Sequence, residues 1–188
     1  MILEGDGVRL RAVEPEDLEL LYRWENEEAD WKRSNTLVPY SRYILKRYIA
    51  NSHRTLFETC QLRLMIDVMP GDRTVGTVDL FEFDHFHMRA GVGILIADPA
   101  ERKKGYASAA LKCIIRYAFD TIGLHQIWCS IIEGNSESLN LFRHHGFELC
   151  ATNKEWIKTS SGFETEYTLQ LINKSDQAVG NRGPSVKK

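Results

Sequence analysis

Val92-Gly93-Ile94-Leu95-Ile96-Ala97, followed shortly by Arg102-Lys103-Lys104-Gly105-Tyr106-Ala107, is the stretch on which the reading of this chain turns. The first half is a short, wholly apolar run, as expected of a strand covered on both faces. The second half is a basic turn containing a glycine. It opens a segment with apolar residues at 107, 110, 111, 114, 115, 118 and 119, a stripe of helical period. The first backbone N–H groups of a helix have no intrahelical partner and carry the positive end of the macrodipole. Gly105 allows close approach of an oxygen, and Arg102, Lys103 and Lys104 add attraction for an anion. Strand, basic turn and helix N-terminus thus make a place for a pyrophosphate. The turn is not a P-loop, because the second glycine followed by Lys-Ser/Thr is missing, and it lacks the G-x-G-x-x-G of a dinucleotide site.

A second unit of the same kind follows. Ile127–Ile132 reads as a strand, and Asn135-Ser136-Glu137-Ser138-Leu139-Asn140-Leu141-Phe142-Arg143-His144-His145-Gly146-Phe147 as a helix with its caps. Asn135 or Ser136 suits an N-cap, and Gly146 stands where a helix-ending glycine belongs.

Outward from these units, Val8–Val13 alternates as a strand, and Glu14-Pro15-Glu16-Asp17-Leu18 starts a helix. A second helix is expected over 42–53, with Tyr43, Leu45, Tyr48 and Ile49 inward. Leu62–Met69 and Thr74–Asp84 read as the arms of a hairpin around Pro70-Gly71-Asp72-Arg73. Strands near 147–156 and 166–172 complete one domain over residues 1–172, of class α+β. Residues 173–188 are poor in apolar residues and are expected to form a mobile tail.

Composition narrows the function classes. The chain has 188 residues, 43% hydrophobic and 27% charged, which suits one domain with a sizeable core. A net charge of −2 gives no reason to expect nucleic acid. No apolar run reaches the length of a membrane span, and Met1-Ile2-Leu3-Glu4-Gly5-Asp6 lacks the features of a signal peptide. Cys60, Cys113, Cys129 and Cys150 form no C-x-x-C pair and read as small buried hydrophobes, which fits a reduced, cytoplasmic setting. His85 and His87 have no further ligand cluster near them in sequence, so no metal is expected. A homo-oligomer is compatible with all of this.

R-x-x-G-x-A after an apolar strand, then N-x-x-S-x-x-L-F-x-x-x-G-F, resembles the GNAT superfamily of acyl-CoA-dependent N-acetyltransferases over about residues 8–172. The stretch 75–90, V-G-T-V-D-L-F-E-F-D-H-F-H-M-R-A, is similar to diamine/spermidine acetyltransferases and to ribosomal-protein N-terminal acetyltransferases. The resemblance implies a mixed, mostly antiparallel sheet flanked by helices, with a splayed central strand pair for CoA. It implies acetyl-CoA as cosubstrate, no metal, and a small amine as acceptor. The pyrophosphate would lie on the amides of Arg102, Lys103, Lys104, Gly105, Tyr106, Ala107 and Ser108. The pantetheine arm would pair with the backbone of Leu95, Ile96 and Ala97, as an added strand does. Asn135 and Ser138 would meet the arm, and Phe142 would line the thioester end.

Two positions depart from the family pattern. Phe142 stands where many members carry a tyrosine that protonates the leaving thiolate, so water, Tyr106 or Tyr167 must serve, or thiolate leaves unaided. Gly91 stands where polyamine-acetylating relatives often carry a glutamate. The proton acceptor is then sought among Asp79, Glu82 and Asp84, with Glu82 first; each is also read as a solvated strand-end carboxylate. Glu25, Glu28, Trp31 and Asp79 are the candidates for holding a polycation by charge and cation–π contact, against the plain reading of an exposed helix end. The acceptor is read as a polyamine or diamine. The alternatives are a protein N-terminus, a CoA-binding protein without catalysis, and a nucleotide-binding module.

Overall fold

The computed structural model describes residues 3–27, 38–159 and 162–174. Its strands are β1 (Leu3–Gly5), β2 (Val8–Ala12), β3 (Leu62–Val68), β4 (Arg73–Asp84), β5 (Arg89–Ile96), β6 (Gln126–Ile132), β7 (Glu148–Thr159) and β8 (Gly162–Ile172). Its helices are α1 (Leu18–Glu25), α2 (Arg42–Ala50), α3 (Leu56–Thr59), α4 (Tyr106–Arg116) and α5 (Ser136–His144). The strands form one sheet in the order β1-β2-β3-β4-β5-β6-β8-β7. Every neighbouring pair is antiparallel except β5–β6.

Period-2 alternation sorts the side chains onto two faces. On one face Val78, Leu80, Ala90, Val92, Ile96, Ile127 and Cys129 join Ala110, Leu111 and Ile114 of α4 and Phe142 of α5 in the larger core. On the other, Met65 packs with Val13, Leu21, Leu45 and Ile49 beneath α1 and α2. A buried ion network ties β2 and β3 to the start of α1. Arg11 donates to Asp17 at 2.7 Å and to Asp67 at 2.8 Å, and Arg9 reaches Asp67 at 3.0 Å. Asp67 is 1% exposed and also accepts from Thr74, so its burial is compensated on every side.

Several sequence expectations are corrected. Tyr43 points outward, 66% exposed, because helix α2 buries only Leu45 and Ile49 and half-buries Tyr48. Cys60 and Cys150 are exposed, while Cys113 and Cys129 are buried; an apolar neighbourhood in sequence does not choose a face. Asn173 belongs to the folded unit rather than the tail, being 9% exposed with its N–H donated to the His125 carbonyl. Residues 175–188 lie outside the described residues.

Candidate active site

The site begins where β5 and β6 part. The two strands pair only through Arg89–Gln126, Ala90–Ile127 and Gly91–Trp128. Beyond that row β5 pairs with β4 alone and β6 with β8 alone. Ala97 donates its N–H to Val75 on the β4 side. Directions alternate along a strand, so past the Gly91–Trp128 rung the N–H groups of Ile94 and Ile96 turn into the opening. They form a free ladder edge between two strands.

The basic turn sits at the head of this opening. Gly105 is the N-cap of α4 with φ +88°, a conformation that suits glycine, and no side chain caps the helix. A Cβ built there would meet nothing within 4 Å, so the approach to the first amides is open. The free edge, the uncapped helix start and that open approach fit a long anionic cosubstrate with an amide-bearing arm.

The basic side chains are placed differently from one another. Arg102 Nε donates to the Ile96 carbonyl at 3.0 Å, and its Nη2 lies 3.3 Å from the Ala97 carbonyl, so it braces the end of β5. Lys103 lies 3.1 Å from Glu137 of α5, and Lys104 lies 3.1 Å from Glu101. Tyr106 and Ala107 pack against the core, and Ser108 shares a 2.8 Å hydrogen bond with His145 Nε2. Burial holds His145 below the ordinary histidine value, with His144 and Lys112 adding repulsion. The first turn of α4 is thus tied to the last turn of α5.

The second unit ends otherwise. Asn135 caps α5, its side chain accepting the N–H of Ser138 at 3.2 Å. Phe142 is 3% exposed, with its ring 5.0 Å from Phe147 in an edge-to-face contact. Its side chain is thus part of the larger core. Tyr167 donates to Glu133 at 2.6 Å, and this bond holds its phenol above the ordinary value.

The acidic candidates separate sharply. Asp79 and Glu25 both bind Arg63, Asp79 at 2.6 Å and Glu25 in a very short contact. Burial pushes the Asp79 carboxyl up against the pull of that guanidinium. Both carboxylates are spent on an internal cation, which corrects their reading as open polycation ligands. Glu28 and Trp31 lie outside the described residues. Glu82 is exposed, sits at a register shift of β4 with φ +48°, and has no ion-pair partner among the described residues. A bulge of this kind re-aims a side chain. It places Glu82 on a cavity of about 500 Å³ shared with Asp84, Trp128, Thr168 and Gln170. Asp84 accepts the N–H groups of Phe86 and His87 and pairs with Arg89, so its role is to hold a tight turn.

Sequence reasoning missed Arg63, Phe81 and Trp128. Phe81, Gly91 and Trp128 form one cross-strand row, at the last rung before the splay. The two rings meet over Gly91 at 5.3 Å and 79°. A Cβ on Gly91 would lie 2.3 Å from the Phe81 ring, so the glycine is required by the aromatic above it. No local pattern announces this row, because its members come from three strands. Among the described residues no group of three or more His, Cys, Asp or Glu gathers to hold a metal, and no helix is long and apolar enough to cross a membrane.

An anion cradle at a helix start, beside a splayed parallel pair in an otherwise antiparallel sheet, defines a transferase fold built around a CoA thioester. Residues 8–148 match the family model described as an acetyltransferase (GNAT) domain, and the chain belongs to that family of N-acetyltransferases, which use acetyl-CoA. It is 27% identical over 143 residues to the spermidine N(1)-acetyltransferase of Escherichia coli K12, covering 76% of this chain and 74% of that protein. It is 35% identical over 98 residues to human alpha/beta-tubulin-N-acetyltransferase 9, covering 52% of this chain and 44% of that one. The crystal structure of Vibrio cholerae spermidine N-acetyltransferase in complex with CoA and spermine superposes with a TM-score of 0.81 at 20% identity, over 90% of this chain and 98% of that one.

Proposed function

We propose that this chain moves the acetyl group of acetyl-CoA to a primary amine of a polyamine or diamine. The observation that carries the reading is the free β5 edge lying between an open helix start and a groove holding Glu82, which has no ion-pair partner among the described residues. The spermidine acetyltransferases among its relatives support the acceptor class.

The amides of residues 103–108 would hold the pyrophosphate, and the backbone groups of Ile94 and Ile96 that face the opening would pair with the pantetheine arm; Leu95 and the Ala97 N–H bond to β4 instead. Bound acetyl-CoA supplies an acetyl group already activated as a thioester. The N–H group of Ile94 faces the opening and can donate to an acyl oxygen. An aliphatic amine has a pKa near 10.4, so it arrives protonated and must lose that proton to become a nucleophile. Glu82 is the acceptor of that proton, directly or through water, since Asp79 is committed to Arg63. The thiol's pKa of about 8.5 lets the sulfur leave with modest help. Tyr167 is bound to Glu133 and Tyr106 packs on the core, so solvent supplies the final proton.

The test is a steady-state assay of CoA release with spermidine, spermine, putrescine and short peptides. Turnover with the polyamines is expected, and its absence sinks the reading. The similarity to the tubulin N-acetyltransferase, a protein-modifying relative, supports one other acceptor class, an amine of a protein. Preference for peptides over polyamines would establish that instead.

A further inference from the structure

Resting on the acetyl-transfer reading above, we propose that the Phe81–Trp128 pair over Gly91 is the docking platform for the acceptor's alkylammonium group. Neither residue has a part in the cosubstrate site. The pair stands on the sheet face away from α4. The alternation that buries Leu80, Val92 and Ile127 against α4 turns Phe81, Gly91 and Trp128 to the other side. Trp128 is half-buried, packed against Phe81 on one side and lining the 500 Å³ cavity on the other.

Three properties of this cavity select a cation on an aliphatic chain. An indole face attracts an ammonium ion through its quadrupole, more strongly as water is excluded. Glu82 contributes a carboxylate with no ion-pair partner among the described residues, whereas the cavity's one cation, Arg89, is matched by Asp84. Thr168 and Gln170 add neutral hydrogen-bonding groups along the cavity from β8, where an extended chain carrying further amines can lie. The cavity therefore carries one excess negative charge beside an aromatic surface, at the rung where the acetyl-bearing opening begins.

Gly91 has a specific part in this arrangement. A side chain there would displace the Phe81 ring and break the pair. A glutamate at this position and the aromatic platform are thus sterically exclusive, and this chain uses the platform.

The experiment is calorimetric binding of spermine to the CoA-loaded full chain, beside acetylation kinetics, for wild type, Trp128→Leu, Trp128→Phe and Gly91→Ala. Cation–π attraction of about 1–2 kcal/mol predicts roughly 5- to 30-fold weaker spermine binding in Trp128→Leu, with KM rising in step and kcat nearly kept. Trp128→Phe should recover most of the affinity. Gly91→Ala should resemble Trp128→Leu, because the clash is with the far end of a side chain that can swing away. A neutral eight-carbon diol should show no difference between wild type and Trp128→Leu. Melting curves identify any variant that fails to fold, and the other substitution then decides. Unchanged spermine affinity in the folded variants, no spermine binding by wild type, or an equal loss for the diol would each overturn the platform. Binding that depends on Trp128 without acetylation of any polyamine would leave the platform standing and remove the proposed function.

Discussion

The two strand–turn–helix units that flank the splay look alike in sequence, and they end in opposite ways. After β5 the chain enters α4 through Gly105, whose positive φ leaves the first amides uncapped and open. After β6 it enters α5 through Asn135, whose side chain takes one of the first donors of the helix, the Ser138 N–H. A helix N-terminus is an anion site only while its donors are unspent. The first unit therefore presents a cradle, and the second serves as a wall that holds β6 and α5 in place. Lys103–Glu137 and Ser108–His145 tie the two units together across the gap.

The hardest blow to the wall is Phe142→Ala. Removing a ring packed on Phe147 should cost about 3–5 kcal/mol in denaturant unfolding. Phe142→Tyr should not raise kcat, since the hydroxyl would enter core; a faster enzyme would show that this side chain reaches the sulfur after all. Next comes the cradle. Gly105→Glu would place a carboxylate against a pyrophosphate held as proposed, where like charges cost several kcal/mol, so CoA affinity should fall at least about 100-fold by calorimetry. Gly105→Ala carries only the left-handed backbone strain of about 1 kcal/mol, and it separates charge from conformation.

Asn135→Ala tests the contrast from the other side. Loss of the cap should cost about 1 kcal/mol of stability while CoA affinity stays within about threefold. A large loss of affinity would mean that both helix starts hold the cosubstrate. The smallest effect concerns the tie between the units. His145 is held below its ordinary value of 6.5, so the unfolded chain takes up the proton more readily than the folded one. Stability should therefore decline as pH drops through about 6.5, and His145→Gln should flatten that slope in melting curves recorded from about pH 7.5 to 5.5. An unchanged slope would show that the Ser108–His145 bond is indifferent to the proton.

Much of the frame could be read locally. The stripe from 107 to 119 is buried or half-buried at each position, because 3.6-residue periodicity needs only one partner surface. The apolar run from 92 is a strand as far as Ile96, and Asn135 is a cap. Misplacements arose where a partner lies far along the chain. Asp79 and Glu25 looked like open acids because Arg63 is separated from them by 16 and 38 residues.

From the sequence alone came the order of the elements apart from β1 and α3, the glycine that opens one helix, the asparagine that caps the other, and the family they resemble. Those follow from short-range backbone geometry and side-chain period. Only the tertiary structure decided which carboxylates are neutralised, which aromatics are core, and that Phe81 and Trp128 meet over Gly91. Those outcomes depend on strand register and on charges brought together from distant positions, and no window of sequence contains either.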